Sequence, residues 1–363
     1  MEWVILSITS ISFGWYLYLF YNGSNYLKNR DIDSQHFFIN STKVTIVIPF
    51  RDATEELLLW LNAFEKVKYA ENAEILLIND GSVNSLLKLR KRIPLYPNVR
   101  LIDRSHQGKK KAIEVGVNLA SHDIIICTDA DTVPQQNWIA GILACFTSDQ
   151  VQMVCGRVIP SGGYWLAQID FLALMAASEV LIKKKLPVMC SGSHMAFRKS
   201  AFKAVEGYTG YLHFKSGDDV ILLHKIKNHF GSQSIGFNDF TQASVQTPMP
   251  DTVGRFLSQR QRWGGKAVFY RDGLSISLAV VVLICALMTY GSFPVFWHNA
   301  WALGISVILI AAKILTDVVL IKSYANEMSV PVKSTQLALA VLLYPAYIAI
   351  VFMRILVNPN PRW

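Results

Sequence analysis

A short apolar segment that ends at two carboxylates constrains the fold of this 363-residue chain more than any other feature. Ile124, Ile125 and Ile126 lack polar alternation, which is typical of a strand covered by helices on both faces of a mostly parallel sheet. Asp129 and Asp131 follow at its carboxyl end, where open α/β sheets bind their ligands. Both can turn toward one hard cation, Mg²⁺ or Mn²⁺, that carries a phosphate group. Taken alone, the tripeptide fits turn or cap aspartates better, and the rest of the chain reverses that preference.

The composition indicates that part of the chain lies in a membrane. Hydrophobic residues make up 52% and charged residues only 17%. Residues 3–20 are apolar and uncharged, and the basic residues follow them, as in an uncleaved anchor whose basic flank stays in the cytoplasm. We therefore predict a transmembrane anchor at residues 1–22 and about three transmembrane helices within 273–357. The three later apolar stretches are residues 274–297, 301–321 and 336–356.

The net charge of +9 admits nucleic acid as a partner, but the chain has no Arg-rich or aromatic-interleaved recognition stretch. Attraction to the anionic cytoplasmic leaflet explains the excess more simply. We expect membrane lipids rather than nucleic acid as partners. We also expect a multi-pass protein of the cytoplasmic membrane whose polar part faces the cytoplasm.

The polar middle of the chain begins with a strand, a helix and a second strand, at residues 43–49, 54–66 and 73–78. This order predicts a right-handed parallel unit. Asp80 follows the second strand and therefore lies at the same sheet edge as Asp129. It fits hydrogen bonding to a ribose or base about as well as it fits a simple Asp-Gly turn.

Gly108 and Lys109 begin a helix that runs to about Ala120. A glycine before a helix, with lysines in the first turn, offers backbone N–H groups and positive charge to a diphosphate. Lysines at this end oppose the helix dipole, so an ordinary solvated surface explains them less well.

Two further segments follow the acidic tripeptide. Residues 153–159 predict one apolar strand. Residues 165–182 predict an apolar helix, and lysines follow it at 183–185. This helix fits a position on the membrane surface or against the polar domain, with its lysines toward lipid headgroups. A buried core helix fits the same pattern equally well.

Three polar side chains beyond this helix are candidates for the site. His194 follows a run of small residues that permits close backbone approach to a ligand. It fits a sugar or phosphate contact, although a hydrogen-bonded structural histidine is the more usual role. Asp218 and Asp219 begin a helix, where they suit either the helix dipole or general-base catalysis on an acceptor hydroxyl.

The last polar segment contains Gln259, Arg262 and Trp263, which helical spacing places on one face. An aromatic ring beside a guanidinium can stack on a sugar or base and pair with phosphate. A basic amphipathic helix at the membrane interface fits as well, and both descriptions can hold at once.

In their order, these motifs resemble the membrane-embedded family 2 glycosyltransferases, the group that contains cellulose, hyaluronan and chitin synthases and ceramide glucosyltransferase. The resemblance covers about residues 43–270. Each motif is weak alone, but their order, and a Q-x-x-R-W sequence just before a membrane span, argue strongly against chance. The motifs are V-I-P with Pro49, N-D-G-S with Asp80, G-K-K-x-A-I with Lys109, D-A-D, G-S-H-M-A-F-R followed by the aspartate pair, and Q-R-Q-R-W.

The resemblance implies a GT-A type α/β domain at residues 43–250, with a mixed, mostly parallel sheet flanked by helices, and an amphipathic interface helix at 251–272. It implies an inverting displacement in which Asp219 is the catalytic base. Asp129 and Asp131 would hold Mg²⁺ or Mn²⁺. The implied substrate-binding residues are Pro49, Asp80, Lys109, Asp129, His194, Asp218, Gln259, Arg262 and Trp263.

This chain departs from the family at two of these positions. Many relatives have Glu-Asp where this chain has Asp218-Asp219, which leaves the base intact. The family's usual asparagine is His194 here, which leaves its contact with the sugar open.

The few predicted spans favour transfer of one sugar, or a few, from a nucleotide sugar such as a UDP-sugar to a lipid or lipid-linked acceptor. Large synthases enclose a polymer channel with more spans. The alternatives are a processive polysaccharide synthase subunit, with a glycan acceptor, and a catalytically silent membrane scaffold. The intact acidic residues argue against the scaffold.

Overall fold

The computed structural model describes residues 2–28, 42–146, 148–214, 216–265 and 271–357. It divides into two compact units. The first comprises Met1–Lys28, Gly162–Val180 and Met249–Trp363, and the second comprises Asn29–Ser161 and Leu181–Pro248. Residues 162–180 therefore group with the terminal segments, whereas the sequence predicted one continuous domain at 43–250.

All strands of the described residues lie in the second unit. They are β1 (Val44–Phe50), β2 (Ala73–Asp80), β3 (Val99–Arg104), β4 (Ile124–Cys127), β5 (Val133–Pro134), β6 (Met153–Gly156), β7 (Val158–Ser161), β8 (Met195–Arg198), β9 (Ile235–Asn238) and β10 (Val245–Pro248). The helices are α1 (Glu2–Phe20), α2 (Thr54–Phe64), α3 (Leu87–Arg92), α4 (Lys109–Leu119), α5 (Trp138–Cys145), α6 (Trp165–Lys183), α7 (Lys199–Ala204), α8 (Asp218–Phe230), α9 (Val253–Gly264), α10 (Gly273–Phe296), α11 (Ala300–Glu327) and α12 (Ser334–Val357).

A seven-stranded sheet forms the centre of the second unit, in the order β3-β2-β1-β4-β8-β6-β9. Only β8 runs against its neighbours β4 and β6, and the other pairs are parallel. Strands β5, β10 and β7 form a smaller sheet. The predicted α/β class, with a mixed and mostly parallel sheet flanked by helices, is confirmed.

The burial of the strands explains why the sheet forms here. Every residue of β1 and β4 is buried, and Ile46 of β1 is in register with Ile126 of β4. Val47 of β1 and Ile125 of β4 belong to one hydrophobic core cluster. Helices α4 and α8 contribute Ile113 and Leu222 to this cluster. A strand without polar alternation is stable only when both of its faces are covered, as they are here.

The prediction of one strand at 153–159 is wrong. Strand β6 pairs in the large sheet and β7 pairs in the small one, so the chain changes sheets at Arg157. The Arg157 side chain is fully buried, and its Nη1 atom donates to Thr241 Oγ1 at 3.0 Å. Apolar periodicity cannot show such a change, because both strands bury their side chains.

Helix α6 is mostly buried, which favours the core alternative over a position on the membrane surface. In the apolar 18-residue stretch of α6, 72% is buried. The corresponding share is 17–33% in the other long apolar helices among the described residues. Lys183 does not point to headgroups as predicted, because its Nζ atom pairs with buried Asp239 Oδ2 at 2.8 Å.

Five helices among the described residues are long and apolar enough to cross a membrane, judged by length and composition. Four of them, α1, α10, α11 and α12, correspond to the predicted spans, and α6 is the fifth. Within the first unit, α1 packs against α10 and α11. Asp317 of α11 accepts a hydrogen bond from Tyr16 of α1 at 2.5 Å and pairs with Lys313 at 2.5 Å, so these polar groups satisfy one another.

Candidate active site

The candidate site lies at the carboxyl edge of the large sheet, where the strand order reverses. From β1 the chain proceeds to β2 and β3 on one side, whereas β4 lies on the other side. Ligands of open α/β sheets bind at such a switch point. Asp129 and Asp131 follow β4 directly, and the small residues 191–193 reach the same edge because β8 is antiparallel. The fold therefore brings two separate motifs together.

Asp129 is held from two sides. Its Oδ1 atom accepts a hydrogen bond from Lys109 Nζ at 2.7 Å, and its Oδ2 atom accepts one from Ser193 Oγ at 2.8 Å. Thr128 Oγ1 donates to the Ser193 carbonyl at 2.8 Å, which fixes the small-residue loop to the end of β4. The carboxylate is therefore oriented while 32% of the side chain remains exposed.

Lys109 links two acidic segments that lie far apart in the sequence. It begins α4 directly after Gly108, and its Nζ atom also lies 3.0 Å from Asp218 Oδ2. Burial by itself lowers the pKa of Lys109, but the charges of Asp129 and Asp218 outweigh it and raise the pKa well above its ordinary value. The ammonium group is therefore directed at carboxylates, and its contact with a diphosphate stays a prediction.

Asp131 is the exposed member of the acidic tripeptide. Partial removal from water and the charge of Asp129 raise the pKa of Asp131 to about 6, although Lys109 acts in the opposite direction. A cation that binds beside such a carboxyl group stabilises the ionised form that burial and Asp129 disfavour. Asp131 is therefore suited to the predicted role of metal ligand.

The donor set fits a divalent cation that also carries a phosphate group. Asp129 and Asp131 supply carboxylate oxygens, the ligand type that Mg²⁺ and Mn²⁺ prefer. Among the described residues, no three or more His, Cys, Asp or Glu side chains converge into a metal cage. Mg²⁺ is usually bound by one or two carboxylates together with substrate phosphates and water, so two protein ligands are adequate.

Asp219 lies in the first turn of α8, beside Asp218. Its Oδ2 atom accepts a hydrogen bond from the Gly192 N–H at 3.3 Å, and its Oδ1 atom accepts one from the Val220 N–H at 2.8 Å. A methyl group at Gly192 would lie only 3.3 Å from Asp218 Oδ2. Asp218 is buried and Asp219 is half-buried, so Asp219 is the more accessible member of the pair.

Asp80 ends β2, but its carboxylate holds the loop before α4. It is buried, accepts hydrogen bonds from the N–H groups of Gln107 and Gly108 at 3.0 and 2.8 Å, and forms an ion pair with Arg104. Burial raises the pKa of Asp80, but these interactions outweigh it and lower the pKa below its ordinary range. This arrangement gives Asp80 a structural role, and its contact with a nucleotide stays a prediction.

Asp52 is a residue that the sequence reasoning missed. Its Oδ1 atom accepts hydrogen bonds from the N–H groups of Val83 and Asn84 at 2.7 and 2.8 Å, and its own N–H donates to Ser82 Oγ at 2.9 Å. Asp52 thereby joins the loops that follow β1 and β2. Its position just after β1 is the signal that could have identified it, because the same position singled out Asp129.

Two predicted substrate contacts lie inside the fold. Pro49 is buried in β1, in register with Ile78. His194 is 1% exposed, its Nδ1 atom donates to the Arg157 carbonyl at 2.9 Å, and its Nε2 atom accepts from Asn238 Nδ2 at 3.3 Å. Burial lowers the pKa of His194 to about 4. This geometry favours the structural alternative for His194, since both ring nitrogens are already hydrogen-bonded.

The first unit contains the remaining predicted binding residues. Gln259, Arg262 and Trp263 are half-buried on α9. The guanidinium carbon of Arg260 lies 4.2 Å from the centroid of the Trp263 ring, a cation–π distance. That these three residues bind substrate together with the acidic residues of the second unit stays a prediction.

The two residues between Gln259 and Arg262 hold α9 in place. Arg260 forms a buried ion pair with Asp170 of α6, which also accepts a hydrogen bond from the Tyr347 hydroxyl of α12. Gln261 donates to the Arg354 carbonyl at 2.9 Å and accepts from Arg354 Nε at 3.2 Å. The variable positions of Q-x-x-R-W therefore fix the helix that presents the predicted binding residues.

The chain resembles known glycosyltransferases in structure. A mannosyltransferase from Pyrobaculum calidifontis, solved with GDP-Man and Mn²⁺, superposes on this chain with a TM-score of 0.60 at 16% identity. The superposition covers 98% of each of the two chains. GalNAc-T7, solved with UDP, GalNAc and Mn²⁺, superposes with a TM-score of 0.50 at 18% identity and covers 69% of this chain and 54% of that protein. At these identities the likeness concerns the fold, which is GT-A.

The sequence itself matches a family description and curated relatives. Poly-beta-1,6-N-acetyl-D-glucosamine synthase of Staphylococcus aureus (strain COL) is 27% identical over 245 residues, which is 64% of this chain. The aligned part spans only 57% of that relative. The family description "Glycosyl transferase family 2" matches residues 45–206, which include Asp80, Lys109, Asp129 and Asp131. Residues 45–206 of this chain therefore match a family 2 glycosyltransferase domain.

Proposed function

We propose that this protein transfers a sugar from a nucleotide diphosphate sugar to an acceptor hydroxyl, with inversion and with the help of Mg²⁺ or Mn²⁺. One observation carries the proposal. Lys109 joins Asp129, which follows β4, to Asp218, which lies beside Asp219 at the start of α8. The proposed metal ligand Asp129 and the proposed general base Asp219 thus belong to two segments that Lys109 connects, at the sheet edge where ligands of this fold class bind.

In the proposed reaction, Asp129 and Asp131 would hold the cation, which in turn carries the diphosphate. When bound, the metal offsets the negative charge that develops on the leaving diphosphate. Asp219 accepts the proton of the acceptor hydroxyl while that oxygen bonds to the anomeric carbon. The bond from this carbon to the diphosphate oxygen breaks in the same step, and the nucleoside diphosphate leaves. Ser193 keeps the Asp129 carboxylate oriented, which favours an in-line arrangement of the reacting atoms.

We propose a UDP-sugar as the donor and a lipid or lipid-linked molecule as the acceptor, at the cytoplasmic face of the membrane. The long apolar helices support a membrane acceptor. A second candidate is the extension of a polysaccharide, which the name of the staphylococcal relatives favours. GDP-mannose is an alternative donor, because a neighbour in fold was solved with it.

The test is sugar transfer by the full chain in native membranes. Radiolabelled UDP-N-acetylglucosamine, UDP-glucose, UDP-galactose and GDP-mannose are supplied with Mn²⁺, Mg²⁺ or a chelator. We expect label from one donor in an organic-extractable product, and no product after chelation. Label in a large polymer would favour the second candidate.

Asp219→Asn is compared with Asp149→Asn, a control at a highly exposed surface aspartate whose side chain lies 3.4 Å from Arg198. We expect transfer to be lost in the first variant and kept in the second. Transfer that persists in Asp219→Asn and after chelation would refute the proposed mechanism.

A further inference from the structure

The ammonium group of Lys109 lies between Asp129, which is the proposed metal ligand, and Asp218, which is the neighbour of the proposed base Asp219. It lies 2.7 Å from Asp129 Oδ1 and 3.0 Å from Asp218 Oδ2, while Ser193 Oγ occupies the other oxygen of Asp129 at 2.8 Å. The Lys109 side chain is 31% exposed, so it has room to move. Both oxygens of the proposed metal ligand Asp129 therefore already have partners.

We propose that Lys109 is an internal counter-ion that competes with the divalent cation for Asp129 and makes binding of the cation depend on the nucleotide diphosphate. The inference rests on the proposed function and deepens it. In the absence of the nucleotide, the lysine neutralises Asp129 and Asp218. When a diphosphate binds, the ammonium group turns toward the phosphate oxygens and leaves Asp129 to the metal.

Charge explains the competition. A divalent cation at Asp129 lies close to the Lys109 ammonium group if the lysine stays in place, and like charges at contact distance repel strongly in a partly buried site. The diphosphate removes this repulsion, because its negative charges attract both cations. The same movement releases Asp218, the neighbour of the proposed base Asp219.

The chain contains a matched control for this lysine. Lys111 lies two residues further along α4, and its side chain, which is 41% exposed, pairs through Nζ with Glu114 at 2.9 Å. Lys111→Met removes one positive charge from the same helical turn without touching the carboxylates of the site. Comparison with Lys109→Met therefore separates the local effect from the change in net charge.

The first measurement is Mn²⁺ binding to the detergent-solubilised full chain, followed by electron paramagnetic resonance of the free ion. We expect Lys109→Met to bind Mn²⁺ alone about tenfold more tightly than the native chain, because a competing charge is removed. Lys111→Met should bind like the native chain. Lys109→Gln also removes the positive charge but keeps a hydrogen-bond donor for the two carboxylates, which favours folding of the variant. Lys109→Gln should bind Mn²⁺ as tightly as Lys109→Met does.

The second measurement repeats the titration with UDP or GDP present. In the native chain the nucleotide should raise the Mn²⁺ affinity steeply, whereas in both Lys109 variants this increase should be much smaller. Asp129→Asn should weaken Mn²⁺ binding in every case. The inference is overturned if the Lys109 variants bind Mn²⁺ alone no more tightly than Lys111→Met.

These outcomes are distinct from failure of the proposed function. If the native chain binds no Mn²⁺ even with a nucleotide, the metal-dependent function fails and the inference fails with it. If the native chain binds Mn²⁺ through Asp129 but the Lys109 variants equal the control, only the counter-ion role is refuted.

Discussion

Arg260 and Asp170 form a buried ion pair between α9 and α6, and the Tyr347 hydroxyl of α12 donates to the same carboxylate. The side chains of Arg260 and Asp170 are 5% and 4% exposed. A buried charge that loses its partner is costly, because neither water nor protein then compensates it. The pair therefore determines whether α9 keeps its place.

We expect Asp170→Asn to reduce the free energy of unfolding of the detergent-solubilised chain by about 3–5 kcal/mol. The control is Asp251→Asn, which breaks the exposed pair between Asp251, just before α9, and Arg255 of α9 at 2.9 Å, and which should cost less than about 1 kcal/mol. The double variant Asp170→Asn with Arg260→Met should recover part of the loss, because no unpaired charge remains. Equal losses in the two single variants would contradict this assignment.

Asp219 and Asp218 should differ in what they contribute to the reaction. We expect Asp219→Asn to lower kcat by about 10²–10⁴, because the general base is lost, while the affinity for the donor stays close to native. Asp218→Asn removes one partner of Lys109 and should change donor and Mn²⁺ affinity more than Asp219→Asn does. The measurement is kcat together with donor binding by calorimetry. If Asp219→Asn weakens donor binding and leaves kcat unchanged, Asp219 is not the base.

His194 should make the second unit sensitive to acid. Its pKa is lowered by burial to about 4 in the folded protein, whereas an unfolded histidine titrates near ~6.5. Between these values the unfolded chain binds the proton and the folded chain does not. The stabilisation is therefore present above pH ~6.5 and is lost as the pH falls toward 4, by about 3 kcal/mol in total.

Unfolding of the native chain and of His194→Asn, measured from pH 7 to pH 4, checks this prediction. Asparagine does not titrate, so the stability of the variant should fall less steeply over this window, even though the smaller side chain lowers stability at pH 7. Parallel pH profiles for the two proteins would show that His194 does not titrate as described.

Gly81 is required by its backbone and by its surroundings. It has a positive φ of 71°, and a methyl group added there would lie 2.7 Å from the backbone nitrogen of His106. Gly81→Ala should therefore cost more than the conformational strain of about 1–2 kcal/mol alone. Gly210→Ala is the matched control, because Gly210 has a φ of 87° and open space around it. Thermal unfolding should show the larger loss for Gly81→Ala, and equal losses would mean that the His106 loop moves aside.

Much of the fold could be predicted from the sequence, for physical reasons that particular residues show. The predicted strands at 43–49 and 73–78 appear as β1 and β2, because buried strands between helices leave a strong apolar signal. The split of 153–159 at Arg157 could not be predicted, because pairing with β9 and β10 decides which sheet each half joins. The burial of α6 was an open alternative, since an apolar helix looks the same in lipid and in a protein core.

By itself, the sequence determined that acidic residues follow the ends of buried strands, that Lys109 begins a helix, and that long apolar segments lie near both ends of the chain. These are local features, and each depends on neighbouring residues alone. Only the tertiary structure decided that Lys109 pairs with Asp129 and Asp218, that Asp80 holds the loop before α4, and that both ring nitrogens of His194 are hydrogen-bonded inside the fold. Such contacts join segments that are distant along the chain, so they depend on strand order and on the antiparallel insertion of β8.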